Sequence, residues 1–217
     1  DSLRGENFSK NDLYHRDQTL LEHKLNRLIF ELYDLKPAHV DLVNDMCNVE
    51  IDYFYKTTDS ASLLPVKRSN GQKYGNIETL YSSNAHNSIE SYIYTFLISW
   101  QDQLPEDWEL VWKMIYNRSG LPLLALVFTI QNKEGDITEP IDDELEWRQI
   151  MKQLSSSHLI PYNSEKIVTD SIIRIVTETN IIIIKVNEQR LWTNSLARED
   201  AEATIVQAMN LQDARQD

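Results

Sequence analysis

Between residues 20 and 42 the chain reads LLEHKLNRLIFELYDLKPAHVDL, and its apolar positions Leu21, Leu25, Leu28, Leu32 and Leu35 recur at alternating steps of four and three. That spacing lines one face of an α-helix, and Ile29 widens the stripe toward the width a packed helix presents. Lys36-Pro37 ends the run, because a proline disfavours helical geometry in the residue before it. Pro37 in turn suits the first turn of a second helix, where its missing N–H has no partner to lose. Val40, Leu42, Val43 and Met46 give that helix an apolar side, so the pattern predicts a helical hairpin packed on something else. Ile51, Tyr53 and Tyr55 then alternate with Asp52, Phe54 and Lys56, which suits a short strand and an ending helix turn equally. Residues 57–84 are rich in Ser, Asn and Gly, with Lys67, Arg68 and Lys73 as a basic patch. A structureless run of that length is unusual inside a compact domain, so it reads as a flexible linker.

Beyond the linker the periods alternate in a definite order. Asn87 and Glu90 have the spacing of a capping box. Ile89, Ile93, Phe96, Leu97, Trp100 and Leu104 form the stripe of the helix that follows, and Pro105 closes it. ELVWKMIYN predicts a strand with Leu110, Trp112, Met114 and Tyr116 on one face. LPLLALVFTI, after the turn Asn117-Arg-Ser-Gly120, is apolar on both faces, as in a central strand covered on two sides. Asp142, Asp143 and Glu144 place negative charge where a helix start favours it, and Leu145, Ile150, Met151 and Leu154 carry that helix inward. SIIRIVTE and NIIIIKV are β-branched strands joined near Thr179-Asn180, and the four isoleucines require burial, since an exposed run would invite edge pairing. Residues 189–193 extend the sheet in this reading. A last helix uses Ala197, Ala201, Ile205, Ala208 and Met209. The fold class is therefore α+β: a helical hairpin arm (1–56), a linker (57–84), and a domain (85–217) with an antiparallel sheet of about four strands and packed helices.

Composition narrows what such a chain can do. At 217 residues it holds one sizeable domain with an appended arm. No apolar run approaches the roughly 18 residues of a membrane span, and DSLRGENFSKND has no apolar signal core. The absent initiating Met fits a fragment of a longer chain or a trimmed one. The single cysteine, Cys47, excludes an internal disulfide and a cysteine-based zinc site; it reads as a small buried hydrophobe, and the setting as cytoplasmic. The net charge is −13, and residues 85–217 carry 11 Lys and Arg against 21 Asp and Glu, or −10 of it. Such a surface repels a phosphate backbone unless its cations gather on one face, so DNA enters only indirectly.

The segment NRLIFELYDLKPAHVDLV resembles the leucine-aspartate-x-leucine-valine-tyrosine-x-leucine-tyrosine-glycine-leucine stretch near the C-terminal end of large adenine-specific DNA methyltransferases of the restriction–modification and phage-defence type. The corresponding positions are Asn26, Leu28, Ile29, Phe30, Leu32, Tyr33, Asp34 and Leu35. Asn26 stands where those enzymes usually have Asp, Phe30 where Tyr is common, Asp34 where Gly is usual and Lys36 where a capping Thr is usual. About twenty residues share the pattern. The remaining chain, including LPLLALVF and RLWT, resembles methylase-associated domains found behind that segment. The resemblance implies a C-terminal accessory domain that packs on the catalytic or target-recognition part of a larger methyltransferase chain, or on a defence-system subunit. S-adenosylmethionine would then be bound in the parent enzyme, with no cofactor in this chain.

A search for chemistry agrees with an accessory role. A methyltransferase needs a glycine-rich turn against its cofactor and an Asn/Asp-Pro-Pro-Tyr/Phe loop for the target amine; the chain has five glycines, never as GxG, and no Pro-Pro. A P-loop is absent too. Glu109 and Lys113 lack the spacing of a metal-dependent nuclease triplet. Asp142, Asp143, Glu144 and Glu146 form the densest carboxylate group, at a helix start where capping explains them. His15, His23, His39, His86 and His158 are scattered, and no GxSxG supports a serine nucleophile. No catalytic or metal-ligating residue is assigned. The candidate interaction residues are Leu21, Leu25, Leu28 and Leu32 on the first helix, Arg118 in the first hairpin turn, and Arg190 with Trp192, which share a face with Asn194 if that segment is extended. The alternative expectation is a free-standing acidic interaction module, an adaptor or nucleic-acid mimic that dimerises or binds a basic partner.

Overall fold

The computed structural model describes residues 10–66, 73–80, 89–117, 122–137, 142–156 and 172–213. By its internal contacts the chain divides into Asp1–Val43 and Asn44–Asp217. In the first unit, α1 (Lys10–Leu32) ends in a turn that leads to α2 (Pro37–Asp45). The end of α1 is a Schellman motif: Leu35 N–H bonds to the Phe30 carbonyl at 3.0 Å and Asp34 N–H to that of Glu31 at 3.2 Å. Asp34 therefore sits at φ 50°, the left-handed conformation that favours glycine, and its short polar side chain tolerates it. Leu21, Leu25, Leu28 and Leu32 stay 65, 57, 62 and 80% exposed.

The second unit begins earlier than the expected arm boundary at residue 56. After α2 a single π turn, Met46–Glu50, leads into α3 (Ile51–Lys56); the alternation at 51–55 belongs to a helix. The π turn directs Asp45 and Val49 inward and leaves Cys47 exposed, so the cysteine is not the buried hydrophobe its helical pattern predicts. Asp45, 4% exposed, accepts the Ser195 N–H at 2.8 Å. It thereby places a carboxylate on the N-terminus of α6 (Asn194–Asp213), where free N–H groups and the helix dipole favour it.

The described residues of the expected linker are packed. Short 3₁₀ turns at Thr57–Asp59, Ala61–Leu63 and Ile77–Leu80 replace regular elements there. Ser60 donates to Asp52 at 2.6 Å and accepts the Ser62 N–H at 3.1 Å, while Val66 and Leu80 enter the core. Residues 74–75 form β1 (Tyr74–Gly75), an edge strand that raises the count to five. Lys73, expected as an open basic position, pairs at 2.7 Å with the buried Asp143. Lys67 and Arg68 lie outside the described residues.

The rest follows the predicted order: α4 (Ile89–Gln101), β2 (Trp108–Tyr116), β3 (Leu123–Asn132), α5 (Asp143–Ser156), β4 (Ile172–Val176), β5 (Asn180–Val186) and α6. The sheet order is β1-β2-β3-β5-β4, antiparallel throughout, so two hairpins meet along their inner strands β3 and β5. Register sends alternate residues to opposite layers. Trp112, Met114, Leu126, Phe128, Ile181 and Ile183 meet α4 and α6 on one face. Ile115, Ala125, Ile182 and Ile184 meet Trp147, Ile150 and Leu154 of α5 on the other. The four isoleucines of β5 are at most 3% exposed. At the start of α5, Asp142 accepts the Glu144 N–H at 2.9 Å, which is the capping role its position predicts. Asn87 of the expected capping box lies outside the described residues. No helix among the described residues is long and apolar enough to cross a membrane.

Candidate functional site

The residues singled out from sequence go to different places. Leu21, Leu25, Leu28 and Leu32 line one exposed face of α1. Residues 189–191 form a 3₁₀ turn rather than a strand, so Arg190 and Trp192 do not share an extended face. Arg190 donates to Glu188 at 2.7 Å and lies 4.9 Å from the centre of the Tyr53 ring, which fixes α3 to this turn. Trp192 is 2% exposed, with its indole N–H on the Val186 carbonyl at 3.0 Å and its ring edge-on to Tyr92 at 5.1 Å. Trp192 is thus a core residue, because the tight turn folds it back under the sheet, and it offers no surface to a partner. Asn194 accepts from the Ser91 hydroxyl at 2.8 Å. Arg118 lies outside the described residues.

The structure instead gathers charge where no candidate was placed. Arg174 of β4 and Lys185 of β5 are diagonal neighbours on the α4/α6 face, Arg174 opposite Ile183 and Lys185 opposite Ile172. Asp200 comes down from α6 between them. Its carboxylate takes the Arg174 guanidinium at 2.7 Å, the Lys185 ammonium and the Tyr92 hydroxyl of α4. Lys185 also donates to the Leu191 carbonyl at 3.0 Å and lies 5.0 and 5.3 Å from the centres of the Tyr92 and Trp192 rings. Glu199, on the outer side, is 3.1 Å from Arg174. Lys185 and Asp200 have no exposed side-chain surface, and Arg174 is 22% exposed.

Burial pushes the Lys185 ammonium below the usual lysine range, with Asp200 pulling it back. Burial, reinforced by Asp200, pushes the Tyr92 phenol well above its usual range, so it stays a donor. Burial alone would lower Arg174, but its bonds to Asp200 and Glu199 outweigh that and raise it. An ion group this dry is held by mutual satisfaction, and every member has a partner. Its geometry joins two strands and two helices, with Lys185 and Asp200 sealed from solvent and Arg174 and Glu199 at the outer edge. A signal for it exists in the sequence: Lys185 interrupts an apolar β-branched strand, and Asp200 lies on the same helical face as Ala197, Ala201 and Thr204. Among the described residues no group of three or more His, Cys, Asp or Glu side chains is placed to hold a metal ion. Compared with protein-family models, with curated proteins and with solved structures, the chain gives no match in any of the three.

Proposed function

We propose that this chain is a non-catalytic interaction domain that docks through the leucine face of α1, and that its partner is the remainder of a larger adenine-specific DNA methyltransferase or a subunit of the same defence system. The observation that carries the docking role is the exposure of Leu21, Leu25, Leu28 and Leu32, 57 to 80% each, along one helix face. Contiguous apolar surface of this kind marks a contact site. The methyltransferase identity of the partner rests on the resemblance of residues 26–35. Magnitude favours a tethered or permanent partner over a passing one. Burying a leucine is worth about 1.5–3 kcal/mol, so four give roughly 6–12 kcal/mol. Free association costs on the order of 4–15 kcal/mol, whereas a covalent link supplies the partner at an effective concentration near millimolar.

Sedimentation velocity on the chain and on the Leu28→Asp/Leu32→Asp variant tests the docking role. The isolated chain should self-associate weakly through its uncovered stripe as concentration rises. The variant should stay monomeric, with the thermal unfolding of the Asn44–Asp217 unit unchanged. A chain that remains monomeric at every concentration, or a variant in which that unit unfolds, sinks the reading. The methyltransferase assignment fails separately if the coding sequence upstream specifies no S-adenosylmethionine-binding domain.

A further inference from the structure

Where α4 ends and β2 begins, the surface of the second unit is hollowed on both sides of the Leu104-Pro105 turn. The larger hollow, about 710 Å³, lies against the Ile77–Leu80 turn and has Ile77, Leu97, Leu104 and Leu110 as its apolar lining. Its volume is within the range of built ligand sites. The smaller, about 290 Å³, is lined by Trp100, Ile130, Val176 and Leu211. Leu104, Pro105 and Trp108 line both. Trp108 is 42% exposed, whereas the other four tryptophans are at most 7% exposed, so an indole that the core does not use stands on the ridge between the two hollows.

Charge around the larger hollow is one-sided. Glu78, Asp102, Glu106 and Glu109 line it, against Lys133. Lys133 donates to the Glu106 main-chain carbonyl at 2.6 Å rather than to a carboxylate. Glu109 accepts from the Asn76 amide at 3.3 Å. Asp102 directly follows α4, whose last turn holds no basic residue. A carboxylate at a helix C-terminus adds to the negative end of the dipole, an arrangement that a nearby cation relieves.

We propose that this trough binds a basic segment of a partner protein, with an arginine laid on the Trp108 indole and its neighbours among the four carboxylates. Each part of the surface then has a use. A guanidinium is planar and weakly hydrated, and it stacks on an aromatic face while donating to carboxylates. The apolar lining takes the methylene stems, and the second hollow takes the next side chain along an extended peptide. A metal ion or a small amine would leave the apolar lining and the ridge unused. A nucleic acid would be repelled by the carboxylates.

The test uses the full 217-residue chain and a short peptide of alternating glycine and arginine, at an ionic strength of about 0.15 M. Because Trp108 alone among the tryptophans is exposed, acrylamide quenching of the intrinsic fluorescence reports its coverage directly. The peptide should shield Trp108, with a Kd on the order of 10 micromolar. Trp108→Phe should largely retain the affinity read by peptide anisotropy. Trp108→Ala should weaken it by about three- to tenfold, and Glu106→Gln/Glu109→Gln by at least as much. Glu144→Gln/Glu202→Gln, on exposed helix positions elsewhere, should leave it unchanged. Equal loss in that control pair would mean diffuse attraction to an acidic surface and would overturn the proposal. So would an unaffected Trp108→Ala variant, or spermine or Mg²⁺ occupying the same carboxylates as tightly as the peptide.

Discussion

Removing the charge of Asp200 while keeping its shape should be among the most damaging single changes available to this fold. Asn in its place keeps the shape but has a single acceptor oxygen; turned to Arg174, it leaves an amide N–H₂ against the Lys185 ammonium and the Tyr92 hydroxyl, which shared the other carboxylate oxygen. Lys185 is then left with the Leu191 carbonyl at 3.0 Å and two aromatic rings, in a position with no solvent exposure. Stripping the partner from a buried charge costs about 3–5 kcal/mol, a large share of the roughly 5–15 kcal/mol that holds a domain together. For a unit of this size that lowers Tm by roughly 6–20 °C. The response to pH separates this cause from a packing defect. In the wild type, burial already holds Lys185 below its usual range against the pull of Asp200; in Asp200→Asn that pull is gone and the folded value falls further. The unfolded chain then binds the proton over a window that ends near pH 10, so the variant should gain stability as pH rises toward that value. Urea denaturation of Asp200→Asn from about pH 6 to pH 10 measures both the loss and its slope. Adding Lys185→Met, which removes the stranded ammonium, should restore much of the stability and flatten the slope. A loss below about 1 kcal/mol with no pH slope, or a double variant no better than the single one, would refute the reasoning.

Two further outcomes follow from the same unit. The Tyr92 phenol is held well above its usual range, so above about pH 10 the unfolded chain loses that proton while the folded chain keeps it; stability present below that pH is lost as it rises. Tyr92→Phe should show a shallower alkaline fall than the wild type in parallel urea titrations, and identical curves would contradict the assignment. Asp45→Ala removes the carboxylate from the first turn of α6 and should cost about 0.5–2 kcal/mol. A variant as stable as the wild type would mean that the Asp45 carboxylate contributes nothing to that helix.

Much of the second unit was legible because its signals are local. A strand buried on both faces must be apolar throughout, as β3 and β5 are, and an amphipathic helix must repeat near 3.6, as α4 does; each pattern is complete within its own segment. The capping carboxylate of Asp142 declares itself for the same reason, since the Glu144 N–H it accepts is within one turn. The Leu21–Leu32 stripe was equally plain as a helix face, and it stays exposed.

What sequence reading missed depends on residues far apart in the chain. Residues 57–66 and 73–80 carry no period because they are held piecewise by distant groups: Val66 N–H by Asn187 at 3.0 Å, the Lys73 carbonyl by Met114 N–H at 2.7 Å, and the Lys73 ammonium by Asp143. For Trp192 the sequence left an interface contact and packing on the domain edge both open, and a 3₁₀ turn settles it by folding the indole into the core. Arg174, Lys185 and Asp200 are ordinary charged residues on three separate elements. Only the pairing of β4 with β5, and the seating of α6 across them, turns those three charges into one buried centre, because an ion in a dry site is tolerable only when its counter-ions arrive with it.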